Sequence, residues 1–197
     1  MNKETFEMIL VQNNGLVKTS DALSEGISKP QFYQYVNEYD LEKVAHGVYM
    51  LRDALVDEFC LVQARFPKAL YSHETALYLH GLAEREPVPL TVTVESSYNS
   101  TGLTDKGVKV FYTKREWYEL GQTKVQSPGG NFVTAFDMDR TICDIVRRAD
   151  DMDVAVLHYA LRTYVNRSDK DLTKLSRYAA ALRIERKIHE RMGVLFG

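Results

Sequence analysis

The stretch SKPQFYQYVNEYDLEKVAHGVYML, residues 28–51, decides how the first part of this chain folds. Ser28 and Gln31 have the S-x-x-Q spacing of a capping box, in which two side chains satisfy backbone N–H groups at the start of a helix. Pro30 falls in the first turn, where its missing N–H costs nothing. These signals predict a helix that runs to about Glu38.

Apolar spacing then defines a buried face and a hairpin. Phe32 and Val36 lie four residues apart, on one side of the predicted helix. Residues 41–45 and 48–51 read as two short strands, and His46-Gly47 forms the turn between them.

Two more helices are predicted upstream. Residues 3–14 form an amphipathic helix that the Asn13-Asn14-Gly15 sequence ends. Thr19 and Ser20 are expected to cap a short helix through Leu23. The order of three helices and a hairpin is the layout of a winged helix-turn-helix, here predicted over residues 1–52.

The rest of the chain, residues 53–197, is predicted to be a small mixed α/β domain with a helical C-terminal bundle, so the fold class is α+β. The expected helices cover residues 53–65, 73–80 (capped by Ser72), 140–149, 154–165 and 172–192, the last broken near Ala181. The expected strands cover residues 88–95, 108–113 and 131–136, and residues 96–107 are expected to form a loop. In the first of these strands, Val88, Leu90, Val92 and Val94 alternate with Thr91 and Thr93, which predicts one buried face.

Composition indicates an ordinary globular protein. Hydrophobic residues make up 45% and charged residues 26% of the 197 residues. The N-terminus has no apolar signal segment, and no stretch is long and apolar enough for a membrane span. Cys60 and Cys143 lie in apolar runs and are expected to be buried and reduced, which favours the cytoplasm.

Charge is distributed unevenly. Residues 1–51 hold four lysines, no arginine and seven acidic residues, whereas residues 162–197 hold nine basic and four acidic residues. Because residues 1–51 hold more acidic than basic residues, each protomer is expected to bind DNA with modest affinity. Self-association on DNA is therefore expected to increase the affinity.

The predicted third helix has a polar face suited to reading DNA. Gln and Asn can pair with adenine, Lys with guanine or phosphate, and Tyr with phosphate. The preceding helix start and the hairpin are expected to contact the phosphate backbone. The candidate DNA-binding residues are Thr19, Ser20, Ser28, Lys29, Gln31, Tyr33, Gln34, Asn37, Lys43 and His46. The alternative is a winged helix that contacts protein rather than DNA.

Three segments, taken in order, resemble the AbiEi family of antitoxins. Gly26-Ile27-Ser28, Tyr33 and residues 41–49 (LEKVAHGVY) are similar to the family's N-terminal domain, whose hairpin has an L-x-R-V-x-R-G-V-Y pattern, with Lys43 and His46 here in place of arginine. Residues 72–82 (SHETALYLHGL) resemble its S-x-x-S-A-L-x-x-H-G-L segment. Residues 139–144 (DRTICD) resemble its E-R-T-L-x-D segment.

This resemblance implies a bicistronic toxin–antitoxin system of the abortive-infection type, which confers phage resistance. The N-terminal domain would repress its own promoter by binding inverted repeats in double-stranded operator DNA. The C-terminal domain would counteract a nucleotidyltransferase-like toxin, directly or functionally. No catalytic residue, metal or cofactor is expected.

One rival is enzymatic. Residues 136–141 (FDMDRT) place a D-x-D-x-T sequence after a strand, as in haloacid-dehalogenase-type phosphatases, where the first Asp is the nucleophile. Arg140 stands where that motif usually has glycine, and only helical sequence follows. Asp137 and Asp139 are therefore expected to cap the helix that begins at Arg140.

Two further features are the His73-Glu74 sequence and a group of basic residues near the C-terminal end. His73-Glu74 lacks the second histidine of a zincin motif, and His73 and His80 lack a third ligand, so packing or capping roles are expected. The basic residues Arg183, Arg186, Lys187 and Arg191 are candidates for contact with the toxin or with DNA, the alternative being a solvated helix face. A ligand-responsive winged-helix transcription factor remains the second functional hypothesis, ahead of the phosphatase.

Overall fold

The computed structural model describes residues 2–55 and 57–196, and no side chain from residue 194 onward. It has an α+β fold, which confirms the predicted class. The described chain forms two compact units, one made of residues 1–67 and 126–133 and the other of residues 68–125 and 134–197. No helix in the described part of the chain combines the length and apolar composition needed to cross a membrane.

The first unit combines four helices with a small antiparallel sheet. Its elements are α1 (Asn2–Gln12), β1 (Leu16–Lys18), α2 (Thr19–Ser24), α3 (Lys29–Glu38), β2 (Glu42–Ala45), β3 (Val48–Met50) and α4 (Glu58–Arg65). The strand order is β1-β3-β2, with Val17 opposite Tyr49 and Lys43 opposite Tyr49 on the other side. Strand β1 was not predicted.

The core of the first unit joins its three N-terminal helices to the sheet. Phe6 of α1 and Phe32 of α3 are fully buried and meet edge to face, with ring centroids 5.9 Å apart. Ile27, from the turn between α2 and α3, is also buried. The predicted inward positions Phe32 and Val36 are confirmed.

Helix α4 begins five residues later than predicted, at Glu58, because Asp57 caps it. Asp57 Oδ1 accepts a hydrogen bond from Cys60 N at 3.1 Å. Residue 56, which the expected helix included, lies outside the described residues.

Asp57 also holds a distant segment in the first unit. Its Oδ2 accepts hydrogen bonds from Ser127 Oγ at 2.5 Å and from Asn131 Nδ2 at 2.8 Å. Asn14 Nδ2 donates to Gly129 O at 3.0 Å. The first unit thus extends to residue 67 and takes in residues 126–133, whereas the predicted domain ended at residue 52.

The second unit is built on a mixed sheet. Its elements are β4 (Leu70–Tyr71), α5 (His73–Leu79), β5 (Thr91–Glu95), α6 (Thr101–Thr104), β6 (Lys109–Thr113), α7 (Arg115–Tyr118), β7 (Gln122–Gln126), β8 (Phe132–Phe136), α8 (Met138–Arg147), α9 (Val154–Val165), α10 (Leu172–Leu182) and α11 (Glu185–Phe196), with a 3₁₀ turn over Ala149–Asp151. The sheet order is β6-β5-β4-β8-β7. The last residue of β7 and the first two residues of β8 are assigned to the first unit. Strand β5 pairs in parallel with β6 and antiparallel with β4, and β4 pairs in parallel with β8.

The expectation of one buried face for residues 88–95 was wrong. Strand β5 begins only at Thr91, and Thr91, Val92, Thr93 and Val94 are all buried, whereas Val88 is 94% exposed. The threonines can be buried because they find partners: Thr91 Oγ1 donates to Ser72 O at 2.5 Å, and Thr93 Oγ1 to Ser72 Oγ at 2.8 Å. The loop expected over residues 96–107 contains the short helix α6.

The helical bundle matches the predicted pattern closely. Helix α9 has the predicted bounds, and the long C-terminal helix is broken at Arg183, which caps α10 in a left-handed conformation (φ 59°). Cys143 lies in the core of this bundle and Cys60 in the first unit, both as buried free thiols. Burial raises the pKa of both thiols, so both stay protonated and unreactive.

Candidate nucleic-acid interface

Helix α3 has a buried face and an exposed polar face. The register that buries Phe32 and Val36 leaves Tyr33, Gln34 and Asn37 exposed on the outer side of the helix, and Lys29 is exposed at its first position. Lysine and the two amides are exposed, and their donors and acceptors are of the kinds that contact base edges and phosphates. Four of the predicted residues therefore share one accessible surface.

Gln31 has a structural task that the sequence only partly indicated. Its Oε1 accepts hydrogen bonds from Ser28 N at 3.3 Å, from Ser28 Oγ at 2.9 Å and from Asn2 Nδ2 at 3.1 Å. The capping box is thus confirmed, and it ties the start of α3 to the start of α1. Because this oxygen is engaged and the side chain is half-buried, Gln31 is a poorer candidate for base contact than Gln34.

Tyr33 connects α3 with the β2–β3 hairpin. Its ring is 47% exposed and meets the ring of Tyr49 at 6.3 Å, nearly perpendicular to it. Burial, and then the neighbouring Tyr33, raise the pKa of Tyr49. The packing of Tyr33 on Tyr49 fixes the hairpin relative to the exposed face of α3.

Thr19 and Ser20 lie in the first turn of α2, and Lys18 occupies the N-cap position in which the two were expected. Thr19 N donates to Gly47 O at 2.8 Å and so fastens the start of α2 to the hairpin turn. Ser20 Oγ donates to Asp21 Oδ1 at 3.0 Å. The capping expectation was wrong because both residues are already helical.

A cleft of about 440 Å³ gathers several of these residues. The start of α2 (residues 18–21), the hairpin turn (residues 46–48) and the end of α4 (residues 63, 64 and 67) line it. It therefore brings Thr19, Ser20 and His46 to one concave surface, next to Lys18. The predicted residues of α2 and of the hairpin turn are spatial neighbours.

Arg65 is a basic residue next to the β2–β3 hairpin that could not be assigned from the sequence. Its Nη2 donates to Val44 O, in β2, at 2.9 Å, and the side chain is exposed. Lys43, the next residue along β2, is also exposed. The only sequence signal was an arginine in the last turn of the helix that follows the hairpin.

Acidic side chains near α3 are partly neutralised. Lys3 pairs with Glu38, and Arg52 Nε pairs with Asp40 Oδ2 at 2.8 Å. Asp21 has no ion-pair partner within residues 2–55 and 57–193 and stays exposed beside the cleft. It is the one carboxylate lining this cleft, so it reduces the attraction of the surface for phosphate.

The four basic C-terminal candidates do not form one continuous patch. Arg186 pairs with Glu190 at 2.6 Å, while Arg191 pairs with Asp150 at 3.3 Å. Lys187 donates to Arg147 O at 3.1 Å and lies 3.9 Å from Asp150 Oδ2. Arg183 is exposed at the end of α10. Carboxylates therefore offset much of the positive charge of α11.

Asp137 in the D-x-D-x-T sequence is fully engaged. It caps α8, and its Oδ1 accepts from Arg140 N at 2.8 Å. Its Oδ2 accepts from Tyr178 OH at 2.8 Å and from Lys174 Nζ at 3.0 Å. Burial and this hydrogen bond raise the pKa of Tyr178.

Asp139 does not cap the helix, contrary to expectation, because it lies inside the first turn of α8 and is buried. Its Oδ1 accepts hydrogen bonds from Tyr164 OH at 2.8 Å and from Asp171 N at 3.2 Å. Burial, followed by the bond to Asp139, raises the pKa of Tyr164. Asp139 therefore joins α8 to α9 and to the cap of α10.

Arg140 fills the space that the phosphatase motif would leave to a glycine. Its side chain is buried, with Nε 3.1 Å from Asp144 Oδ2, and its Nη1 donates to the carbonyls of Trp117 and Leu120. Its guanidinium lies 4.2 Å from the Phe136 ring centroid. The arrangement is that of a structural ion pair.

His73 and His80, at the two ends of α5, make separate contacts. His73 is buried with its ring stacked on Phe111 (centroids 3.7 Å apart) and its Nδ1 3.0 Å from Ser72 Oγ. His80 Nε2 donates to Phe136 O at 2.7 Å. Burial lowers the pKa of both, and for His73 the nearby Arg147 and Arg148 lower it further. Within the described residues, no three His, Cys, Asp or Glu side chains are grouped to hold a metal ion.

Comparisons with known proteins add a likeness of fold. The chain matches no protein-family model and no curated protein. It is similar to the crystal structure of the Rv2827c protein from Mycobacterium tuberculosis, with 12% sequence identity and a TM-score of 0.52, and the match covers 88% of this chain and 72% of that one. At this identity the likeness concerns the fold alone.

Proposed function

We propose that the first unit is a winged helix-turn-helix that binds double-stranded operator DNA. In this proposal α3 is the recognition helix in the major groove and the β2–β3 hairpin is the wing against the phosphate backbone. The element order α1-β1-α2-α3-β2-β3 supports it, as does the sheet order β1-β3-β2, which places β2 of the hairpin at the edge of the sheet.

One observation carries this proposal: the division of α3 into a buried apolar face and an exposed polar face. Phe32 anchors the helix, and Gln34 and Asn37 are exposed on its other side. A recognition helix needs this division, because one face must be held by the core while the other reaches base edges.

The whole chain, in this proposal, is a cytoplasmic antitoxin and the autorepressor of its own bicistronic operon. The resemblance to AbiEi-family antitoxins is the basis. The first resembling segment covers the turn before α3, Tyr33 of α3 and the β2–β3 hairpin, and the other two lie on α5 and on α8. In the last of these, the arginine and aspartate of the family pattern correspond to Arg140 and Asp144, which form the buried ion pair. The buried ion pair is a physical reason for an arginine and an aspartate at this spacing in the motif.

The second unit would counteract a nucleotidyltransferase-like toxin, and no catalysis is proposed for it. Asp137 and Asp139 each accept several hydrogen bonds or ion pairs, which supports a structural task for both. The first unit holds six basic and ten acidic residues, so each protomer neutralises few phosphates, which supports binding to inverted repeats by more than one protomer.

The test is a gel-shift titration of the full chain on the DNA upstream of its own gene, over a series of salt concentrations, with a scrambled competitor. We expect specific shifts that appear in steps and weaken with salt. Shifts that the scrambled competitor abolishes equally well would contradict operator recognition. Co-expression with the product of the adjacent gene tests the antitoxin part, and we expect growth arrest by that product to be relieved.

One variant separates the proposal from the enzymatic rival. Asp137→Asn keeps an N-cap acceptor but removes the charge that a phosphatase nucleophile needs. We expect operator binding and relief of growth arrest to survive this change. A magnesium-dependent phosphatase activity that the change abolishes would establish the rival instead.

A further inference from the structure

A groove on the second unit has no part in the function proposed above. It has a volume of about 450 Å³ and lies between the segment after α5, residues 83–87, and the first half of α9. Its walls are Ala83, Pro87, Val156 and Tyr159, and Glu74 of α5 also lines it.

The apolar surface continues beyond the groove. Val154, at the start of α9, is 64% exposed, and Tyr159 is 40% exposed. Apolar side chains that stand singly on a surface need no explanation, but here they border a concavity with apolar walls. The groove can therefore bury the hydrocarbon part of a ligand.

The polar groups of the groove are mostly acidic. Glu74, Glu84 and Glu86 line it, opposed by Arg85. Glu74 Oε1 lies 3.3 Å from Lys109 Nζ, but its Oε2 is buried and has no hydrogen-bond partner among the described residues. A buried carboxylate oxygen without a donor is unfavourable, and a ligand that brings a donor removes this cost.

We propose that this groove receives an arginine or lysine side chain of a partner protein. The hydrocarbon stem would lie against Tyr159 and Pro87, and the cationic end would reach Glu74, with Glu84 and Glu86 at the rim. Long basic side chains combine such an apolar stem with a charged end. Nucleic acid is disfavoured as the occupant, because the three carboxylates that line the groove outnumber its one arginine and would repel phosphates. This proposal rests on the proposed function, in which the partner is the toxin.

The first test uses n-butylguanidinium as a probe of the groove alone, followed by ¹H–¹⁵N correlation spectra of the full chain. We expect saturable shifts of amides in residues 83–86 and 154–159, and none with butyrate at the same concentration. Glu74→Gln should weaken the binding of the probe at least fivefold. Glu119→Gln is the matched control, because Glu119 is an exposed carboxylate that pairs with Arg115 away from the groove.

Two results would overturn the proposal at this stage. One is equal shifts with the guanidinium and with butyrate, and the other is shifts confined to residues outside the groove. Neither result bears on DNA binding, so the proposed function would stand.

The second test measures binding of the full chain to the product of the adjacent gene by calorimetry. Glu86→Lys reverses an exposed charge at the rim and is not expected to disturb folding. We expect it to weaken binding at least tenfold while the gel shift on operator DNA is unchanged. Unaltered binding would refute the groove as the contact, and so would the absence of any direct binding. In the latter case, relief of growth arrest on co-expression still decides whether the chain is an antitoxin.

Discussion

Arg65 in the last turn of α4 donates a hydrogen bond from Nη2 to the backbone carbonyl of Val44, at the outer strand of the hairpin. The bond fixes a permanent positive charge beside Lys43, although the two residues are far apart in sequence. The region that contains the hairpin has four lysines and no arginine in residues 1–51. Arg65 therefore adds a guanidinium next to the outer strand of the hairpin.

We expect Arg65→Gln and Lys43→Gln each to weaken binding to all DNA sequences alike. A phosphate contact carries charge but no sequence information. Each change should therefore make the salt dependence shallower, reducing the magnitude of the slope of log K against log salt concentration by about one. The measurement is the gel shift over a salt series. Arg52→Gln is the control, because Arg52 is exposed and already paired with Asp40. Equal slopes for Arg65→Gln and Arg52→Gln would exclude Arg65 from the interface.

Replacing Gln34 or Asn37 with alanine should act differently. Because both are exposed on the outer face of α3, we expect losses of about 1–3 kcal/mol on the cognate operator and a relaxed sequence preference. Competition gel shifts with single-base operator variants measure both. Gln31→Ala serves as a comparison, and we expect it mainly to lower stability, because Gln31 completes the capping box. If Gln34→Ala and Asn37→Ala bind the operator like the parent chain, α3 is not the reading helix.

The buried pair Arg140–Asp144 predicts non-additive effects on stability. Arg140→Met leaves the Asp144 carboxylate buried without its cation, and we expect a loss of about 3–5 kcal/mol in the free energy of unfolding. The double variant Arg140→Met/Asp144→Leu removes both charges and should recover part of this loss, because the carbonyls of Trp117 and Leu120 lose their donor in both variants. Urea denaturation monitored by circular dichroism provides the measurement. A double variant less stable than the single one would show that the pair is not the source of the effect.

His73 predicts a loss of stability in mild acid. Its pKa is lowered in the folded state by burial and by Arg147 and Arg148, so the unfolded chain binds the proton first. Stability is therefore complete above the unfolded pKa of about 6.5 and falls as the pH drops below it, by at most about 1.4 kcal/mol per pH unit for one histidine.

The measurement is the urea midpoint at a series of pH values below neutrality. His73→Asn should flatten the dependence, and asparagine tolerates the positive φ of 48° found at this position. Some slope should remain, because burial also lowers the pKa of His80. An unchanged slope in the variant would assign the acid sensitivity to other groups.

Local signals explain why much of the fold could be predicted from the sequence. Residues that are neighbours in the chain determine the capping box at Ser28, the bounds of α9 and the break in the C-terminal helix. Strands β1 and β4 have three and two residues, too few for any alternation to be visible. They are strands only because β3, β5 and β8 pair with them.

The candidate site also contains residues that could be predicted from the sequence and residues that could not. The exposed face of α3 follows from helical spacing, so Gln34 and Asn37 could be found in the sequence. Arg65 could not, because its place beside Val44 depends on a contact between α4 and β2. The threonines of β5 were assigned to a solvent face for a similar reason: the hydrogen bonds that allow Thr91 and Thr93 to be buried come from Ser72.

The segment held by Asp57 has a consequence for how this protein could be divided or recombined. Residues 126–133 belong to the first unit, yet they are separated from its other residues by 58 positions of chain that belong to the second, residues 68–125. A fragment ending at residue 67 would leave Asp57 Oδ2 without Ser127 and Asn131. The first unit is therefore not a module that a single recombination event could transfer intact. Any exchange between related proteins would have to transfer residues 1–67 and 126–133 together, or transfer the whole chain.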